Sequence, residues 1–255
     1  MSDLEGTTFV VTGGSRGIGR EIVLGALERG AQVVFCAREP GPDVEAIKAH
    51  ARSFESERRG LGVRADVSQE RDVEDLFDTA LSAFGSIDIV INNAGISRAQ
   101  MLVWLETPSW NEVIATNLTG AFLVSRQAIR HFVAQGRGGK IISVGSVTQS
   151  GTESNASYAV SKGGLVGLTR AIAREYGPRG ITANLVVAGY ADGGLMQDVS
   201  AAFTRLVAEA CPQKRLASAG EIASVILFLA SSRGQPIRNG EAVFAAGGLI
   251  DPPVA

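Results

Sequence analysis

Tyr158 and Lys162 stand four residues apart. In a helix that spacing puts both on one face, about one turn apart. A phenol is a poor acid or base near neutral pH unless something favours its phenolate, and a neighbouring ammonium does so. Lys162 also offers three hydrogen-bond donors to whatever lies beside that face. Ser146 comes twelve residues before Tyr158, at the end of an apolar run that reads as a strand. A strand end and a helix face would then gather a hydroxyl, a phenol and an ammonium. Taken alone, a Tyr and a Lys at this spacing are common on ordinary helices, so the surrounding chain has to decide.

The elements that would position them alternate regularly. Residues 7–12 are β-branched and aromatic and read as a buried strand. Glycines 13, 17 and 19 follow, and then a helix over about 18–29 with Ile22, Val23, Ala26 and Leu27 on its apolar side. Strand, glycine turn and helix start are the context a dinucleotide site needs. Gly13, Gly17 and Gly19, with Ser15, Arg16 and Ile18 between them, would allow a tight turn, close approach to a diphosphate and close helix packing. The helix N-terminus then presents free N–H groups to the anion. Residues 31–36 read as a second strand, followed by Ala37 and Arg38. An acidic residue there would accept from a ribose 2′-hydroxyl. Arg38, with Arg16 in the turn, suits the 2′-phosphate of NADP instead. The alternative is a pair of ordinary surface arginines.

Residues 43–59 read as a charged, solvated helix, and 61–65 as a short strand ending at Asp66. The Asp66 carboxylate suits an adenine amino group or a cap on the following turn. A helix over 70–84 carries Val73, Leu76, Phe77 and Ala80 on one face. The strand at 87–91 leads into Asn92, Asn93, Ala94 and Gly95, just past a strand's carboxyl end, where open parallel sheets bind ligands; the alternative is a simple turn. The helix over 109–134 holds Asn117 and Gly120, both poor helix formers, which implies a local packing or functional demand. The remaining strands are expected at 140–144, 181–187 and 241–245, with helices over 157–176, 197–210 and 221–229. Small residues along 157–176 (Ala159, Gly163, Gly164 and Gly167) permit close helix approach, including across a subunit interface. The alternation predicts an α/β fold: a single doubly wound (Rossmann) parallel sheet of about seven strands with helices on both faces, one domain over 1–255. The excursion at 189–215 is the expected substrate loop.

The totals agree. The chain has 255 residues, is 45% hydrophobic and carries a net charge of −2, so no basic field points to nucleic acid. Cys36 and Cys211 make no metal-spaced pair and fit a reduced compartment. The acidic start lacks the basic and apolar regions of a signal peptide, and no apolar run is long enough to span a bilayer. A soluble cytoplasmic protein is expected.

With the glycine turn, Asn92 to Gly95, Asn117, Ser146, Tyr158 and Lys162 placed in order, the chain resembles the short-chain dehydrogenase/reductase family over its whole length. Within it, Asn92 to Arg98, Trp110 to Asn117 and Arg215 to Ala223 are most similar to beta-ketoacyl-ACP reductases of fatty-acid and polyketide synthesis. The resemblance implies that Tyr158 gives a proton to a carbonyl oxygen while NADPH supplies hydride to its carbon. Lys162 would hold the nicotinamide ribose and favour ionisation of Tyr158. Ser146 would bond the carbonyl oxygen, and Asn117 a water that passes protons toward Lys162. Asp66 and Val67 would meet adenine, and Asn93, Ala94 and Gly95 the adenosine ribose, with Gly189 also lining the cofactor. The four-residue Tyr–Lys spacing separates this chain from short-chain enoyl reductases. Arg130 and Arg179 match positions that dock an acidic acyl carrier protein, and the family implies a homotetramer packed through the two long helices.

Three positions depart from the family pattern. Ala188 replaces a proline before Gly189, Gly193 replaces a threonine that touches the nicotinamide carboxamide, and Ala246 replaces an Asp or Asn before Gly247 and Gly248. These changes predict a freer loop, one cofactor contact fewer and altered substrate handling. Two other readings stand beside a beta-ketoacyl reductase. One is a reductase or dehydrogenase for another carbonyl or alcohol, such as a sugar, steroid or small ketone. The other is an idle NADP-binding regulatory or scaffold protein.

Overall fold

All five residues of β1 (Thr8–Thr12) are buried. Their side chains alternate between two cores: Phe9 and Val11 enter one, Val10 the other. In β2 (Gln32–Ala37), Val33 and Phe35 face the first core, Val34 and Cys36 the second. A strand covered on both faces has no solvated side, so its sequence is a continuous apolar run. The computed structural model describes residues 3–39, 59–234 and 239–249. The helix expected at 43–59 lies outside the described residues, except for Arg59.

Seven further strands follow among the described residues: β3 (Gly60–Arg64), β4 (Ile89–Asn92), β5 (Gly139–Ser146), β6 (Ile181–Ala188), β7 (Ala191–Asp192), β8 (Ala217–Ser218) and β9 (Ala242–Ala245). The main sheet has seven parallel strands in the order β3-β2-β1-β4-β5-β6-β9. Helices α1 (Gly17–Glu28), α2 (Glu70–Phe84), α3 (Thr107–Ile114), α4 (Gly120–Gln135), α5 (Ala156–Tyr176), α6 (Ala201–Ala210) and α7 (Ala219–Ala230) surround it. From α1 and α7, Ile22, Leu27, Ile222 and Ile226 fill the first core. From α2, α4 and α5, Leu76, Phe77, Phe132 and Ile172 fill the second. This is a doubly wound α/β sheet. The chain steps outward from β1 to β3 and returns to β4, so the carboxyl ends of β1 and β4 form the switch point where such sheets bind ligands.

Local sequence explains where elements stop. Left-handed Gly85 (φ 75°) ends α2 and Gly136 (φ 70°) ends α4. Ser218 and Glu221 form a reciprocal capping box at the start of α7, and Arg215 holds both Glu221 oxygens at 2.7 and 2.8 Å. At the other end of α7, Lys140 Nζ donates to the carbonyls of Ala230 (2.8 Å) and Ser231 (2.6 Å), closing groups the helix leaves open.

The helix expected at 109–134 is two helices joined by a π turn at Ala115–Thr119, with Asn117 inside it. A π turn widens the helix by one residue and is frequent at functional sites. Gly120, the first residue of α4, packs against Val67: a Cβ there would stand 2.7 Å from Val67 Cγ2. The short ladder between β7 and β8 has no signal in the sequence, being two residues per strand.

Candidate active site

The glycine turn is pinned to the end of β4. Thr12 Oγ1 donates to the Ile91 carbonyl and accepts from the backbone N–H groups of Asn93 and Ala94, each at 3.0 Å. Asn93 Nδ2 returns to the carbonyls of Thr12 and Gly13, also at 3.0 Å. This close seam is why Gly13 and Gly19 carry no side chain: a Cβ on Gly13 would lie 2.9 Å from Ala94 Cα, and one on Gly19 2.1 Å from the Gly13 carbonyl. Asn92 turns away from the turn and is buried, donating to Ser125 and Ser143. Arg16 precedes α1 without a side-chain cap, so the first-turn N–H groups remain available to an anion.

Arg16 and Arg38 are exposed and line the same cleft, as does Arg64. Arg38 lies 3.7 Å from Glu112, which also holds Arg98 through both oxygens. Arg64 Nε donates to the Arg38 carbonyl at 3.1 Å, a third guanidinium that sequence reasoning missed because it ends a strand rather than a motif. Asp66 takes up the turn-capping role: its Oδ1 accepts from Ser68 N–H and Ser68 Oγ. Burial pushes the Cys36 thiol up to about 12, so it stays protonated beside the turn.

Ser146 ends β5 and pairs in register with Ala188 of β6. Burial pushes the Tyr158 phenol up to about 12, and a hydrogen bond with Ser146 opposes that rise. Lys162 is 3% exposed, and burial brings its ammonium down to about 8. Its Nζ donates to the Val144 carbonyl at 2.6 Å, two residues before Ser146 on the same strand, and lies 5.7 Å from the Tyr158 ring centre. Asn117 stands behind this group. Its Oδ1 accepts from Ile96 N–H at 2.8 Å, and its Nδ2 donates to the Ile96 carbonyl and Ser161 Oγ. Ser161 in turn donates to the Tyr158 carbonyl at 2.7 Å. The Asn117 amide is thus engaged in fastening the Tyr158 helix to the chain after β4. Ser161 and Thr12 were missed as site residues because each acts through a partner far away in sequence, Asn117 for Ser161 and Ile91 to Ala94 for Thr12.

The cleft measures about 1420 Å³. It is lined by all the candidate cofactor residues of the turn, by Arg38, Asp66, Val67, Asn93, Ala94, Gly95 and Gly189, and by Ser146, Tyr158 and Lys162. Arg130 and Arg179 are exposed outside it; Arg130 bonds Gln127 and Arg179 lies over Tyr176. Tyr190, Leu195, Met196, Val199 and Phe203 give the cleft an apolar wall, with Tyr190 edge-on to Phe203 at 5.9 Å.

The wall is held more firmly than its departures predict. Gly189 N–H bonds the Ala245 carbonyl, β7 pairs with β8, and a Cβ on Gly17 would stand 3.1 Å from Gly194 Cα. Gly193 has φ 87° and ψ −169°, a conformation essentially reserved for glycine, so a threonine does not fit this backbone path. Gly189 lies against Ala246, where its Cβ would meet Ala246 Cα at 2.8 Å.

A nicotinamide dinucleotide fits these residues. The glycine cradle has no room for side chains, the helix start is uncapped, and the cleft exceeds the roughly 300–1,000 Å³ of a single small-ligand pocket. Among the described residues no cluster of metal ligands occurs, and no helix is long and apolar enough to cross a membrane. Sheet, cradle and Ser–Tyr–Lys group together define a Rossmann-type oxidoreductase.

A family model described as enoyl-(acyl carrier protein) reductase matches residues 13–250. The chain belongs to the short-chain dehydrogenase/reductase family, whose members use a nicotinamide cofactor. It is 35% identical over 248 residues to the 3-oxoacyl-(acyl-carrier-protein) reductase FabG of Escherichia coli (strain K12), covering 97% of this chain and 98% of that one. The corresponding Vibrio harveyi protein is 36% identical over 250 residues, again covering 97% and 98%. A solved short-chain type dehydrogenase/reductase from Mycobacterium marinum superposes with a TM-score of 0.89 at 31% identity, covering 98% of each chain.

Proposed function

We propose that the protein reduces a ketone to an alcohol with NADPH, on a beta-ketoacyl thioester or polyketide-type substrate. The observation that carries this reading is the neutral Tyr158 phenol set between Ser146 and the buried Lys162 at the cofactor cleft. Bound at the cradle, a nicotinamide dinucleotide supplies the hydride. Ser146 and Tyr158 donate to the carbonyl oxygen, and Tyr158 releases its proton as charge builds there. Lys162, held by the Val144 carbonyl, offsets the phenolate that forms. Asn117 and Ser161 keep the Tyr158 helix in register with the strand ends.

The glycine turn and the first turn of α1 would hold the diphosphate, Arg16 and Arg38 the 2′-phosphate, Asp66 and Val67 the adenine, and Asn93 to Gly95 the adenosine ribose. Lys162 and Tyr158 would hold the nicotinamide ribose, and Gly189 the nicotinamide side of the cleft. The relatives with full-length identity are named ketoacyl reductases, which favours a carbonyl over the double bond of the family model's description. The apolar wall from Tyr190 to Phe203 suits an acyl chain. A carrier protein would dock through Arg130 and Arg179, whose charge steers an acidic partner.

The test is NADPH oxidation with a beta-ketoacyl thioester. Tyr158→Phe is expected to abolish turnover while still binding NADPH. Turnover equal to wild type in the Phe variant would remove the assignment.

A further inference from the structure

Thr148 lies two residues past Ser146, in the short turn Val147–Ser150, and both side chains are buried. Thr148 Oγ1 is 2.9 Å from Ser146 Oγ. The Thr148 backbone N–H donates to the same oxygen at 3.3 Å. Among the described residues Ser146 Oγ is the hydrogen-bond partner of Thr148 Oγ1. Either hydroxyl can donate in this pair, but the Thr148 N–H already takes one acceptor position on Ser146, and a Thr148 proton given to Ser146 is satisfied within the fold. A serine oxygen has two acceptor positions and one proton to give. Thr148 fills one acceptor position with its N–H, and with its O–H as donor it fills the other.

We infer that Thr148 is a positioning residue that makes Ser146 a donor only, with its proton directed at oxygens in the cleft. The N–H bond fixes its own direction; the direction of the hydroxyl pair is part of the inference, and its use rests on the ketone reduction proposed above. Ser146 then cannot accept the Tyr158 proton, which is left to go to the substrate oxygen. As a donor, Ser146 can give its proton to the Tyr158 oxygen or to a substrate oxygen, and with substrate bound the developing alkoxide receives two O–H donors, from Ser146 and Tyr158. The sequence carried no sign of this, since residue types alone do not show that the turn after β5 folds Thr148 back onto Ser146.

Thr148→Val keeps the side-chain shape and removes the hydroxyl, and Thr148→Ser restores it. In the Val variant one acceptor position on Ser146 opens, and its hydroxyl can turn to accept from Tyr158. Ketone reduction by the full chain should lose about tenfold in kcat, the net worth of one hydrogen bond, with KM nearly unchanged. Thr148→Ser should recover the rate. A readout that needs no turnover is the ¹³Cζ resonance of Tyr158 at pH 7, assigned by Tyr158→Phe among the three tyrosines. It should move in Thr148→Val and return in Thr148→Ser. An unmoved resonance overturns the inference, as does equal loss of rate in the Val and Ser variants. A resonance that moves in a protein reducing no ketone overturns the proposed function and leaves the hydroxyl arrangement standing.

Discussion

Lys162 is an expensive residue. Its ammonium titrates near 10.5 in the unfolded chain and near 8 in the fold, because burial disfavours the charge. Between those values the unfolded state binds more protons, so stability rises as pH climbs from about 8 to 10.5. At pH 7 the whole penalty is present, on the order of 3 kcal/mol. Lys162→Met should therefore be inactive and yet more stable by about 1–2 kcal/mol, allowing for the lost bond to Val144, a rise of about 2–8 °C in Tm. A calorimetric Tm below wild type would contradict the cost assigned to burial. Tyr158 has the opposite sign. Raised to about 12, it keeps its proton at neutral pH and is ready to donate. Ketone reduction should fall as pH rises from 7 to 9, because Lys162, brought down to about 8, loses the ammonium that offsets the phenolate; oxidation of the product alcohol, which draws on the phenolate, should climb relative to reduction. Initial rates in both directions across that range check it.

At the scale of the element, the loop after β6 shows how a departure from a family pattern can be structural. Gly193 follows a path closed to a β-branched residue. Gly193→Thr, which restores the family's usual side chain, should cost about 1–3 kcal/mol of local strain and weaken NADPH binding rather than strengthen it. Calorimetric titration with NADPH decides; tighter binding would mean that the missing hydroxyl matters more than the backbone. The echo of known reductases at Arg215 to Ala223 also has a mechanical source, since Ser218 and Glu221 cap α7 and Arg215 braces the cap. The unfavourable Asn117 and Gly120 are explained together: the first sits in the π turn and the second lets α4 approach Val67. Of the small residues on α5, Gly164 is needed within the chain, against Leu118, while Gly167 faces open space.

At the scale of the molecule, charge and apolar surface set selectivity and assembly. Arg16, Arg38 and Arg64 line the cleft, and the proposed 2′-phosphate would meet the first two. NADPH should bind more tightly than NADH, and Arg38→Asp should narrow or reverse the gap by removing one phosphate contact and adding a repulsion; a wild-type preference for NADH would refute the arginine argument. Phe122 on α4 and Val160 on α5 are 42% and 50% exposed, on the helices through which a homotetramer is proposed. Sedimentation should report a tetramer, and Val160→Glu should reduce the assembly; a monomeric wild type would remove it.

The strands, the glycine turn and the Tyr158–Lys162 spacing were legible in the sequence because each depends on local rules: a period of two or 3.6, a missing Cβ, four residues in one turn. Strand ends were placed within about two residues for the same reason. What the sequence could not carry were the contacts between distant segments. Asn117 meets Ile96 and Ser161, Thr12 seats Asn93 and Ala94, Lys162 meets Val144, and Gly194 lies on Gly17. Each joins elements that only the parallel crossovers bring to one edge of the sheet. The proposed proton donor, Tyr158, was written in the residue types; the contacts that hold it in place were decided by the fold.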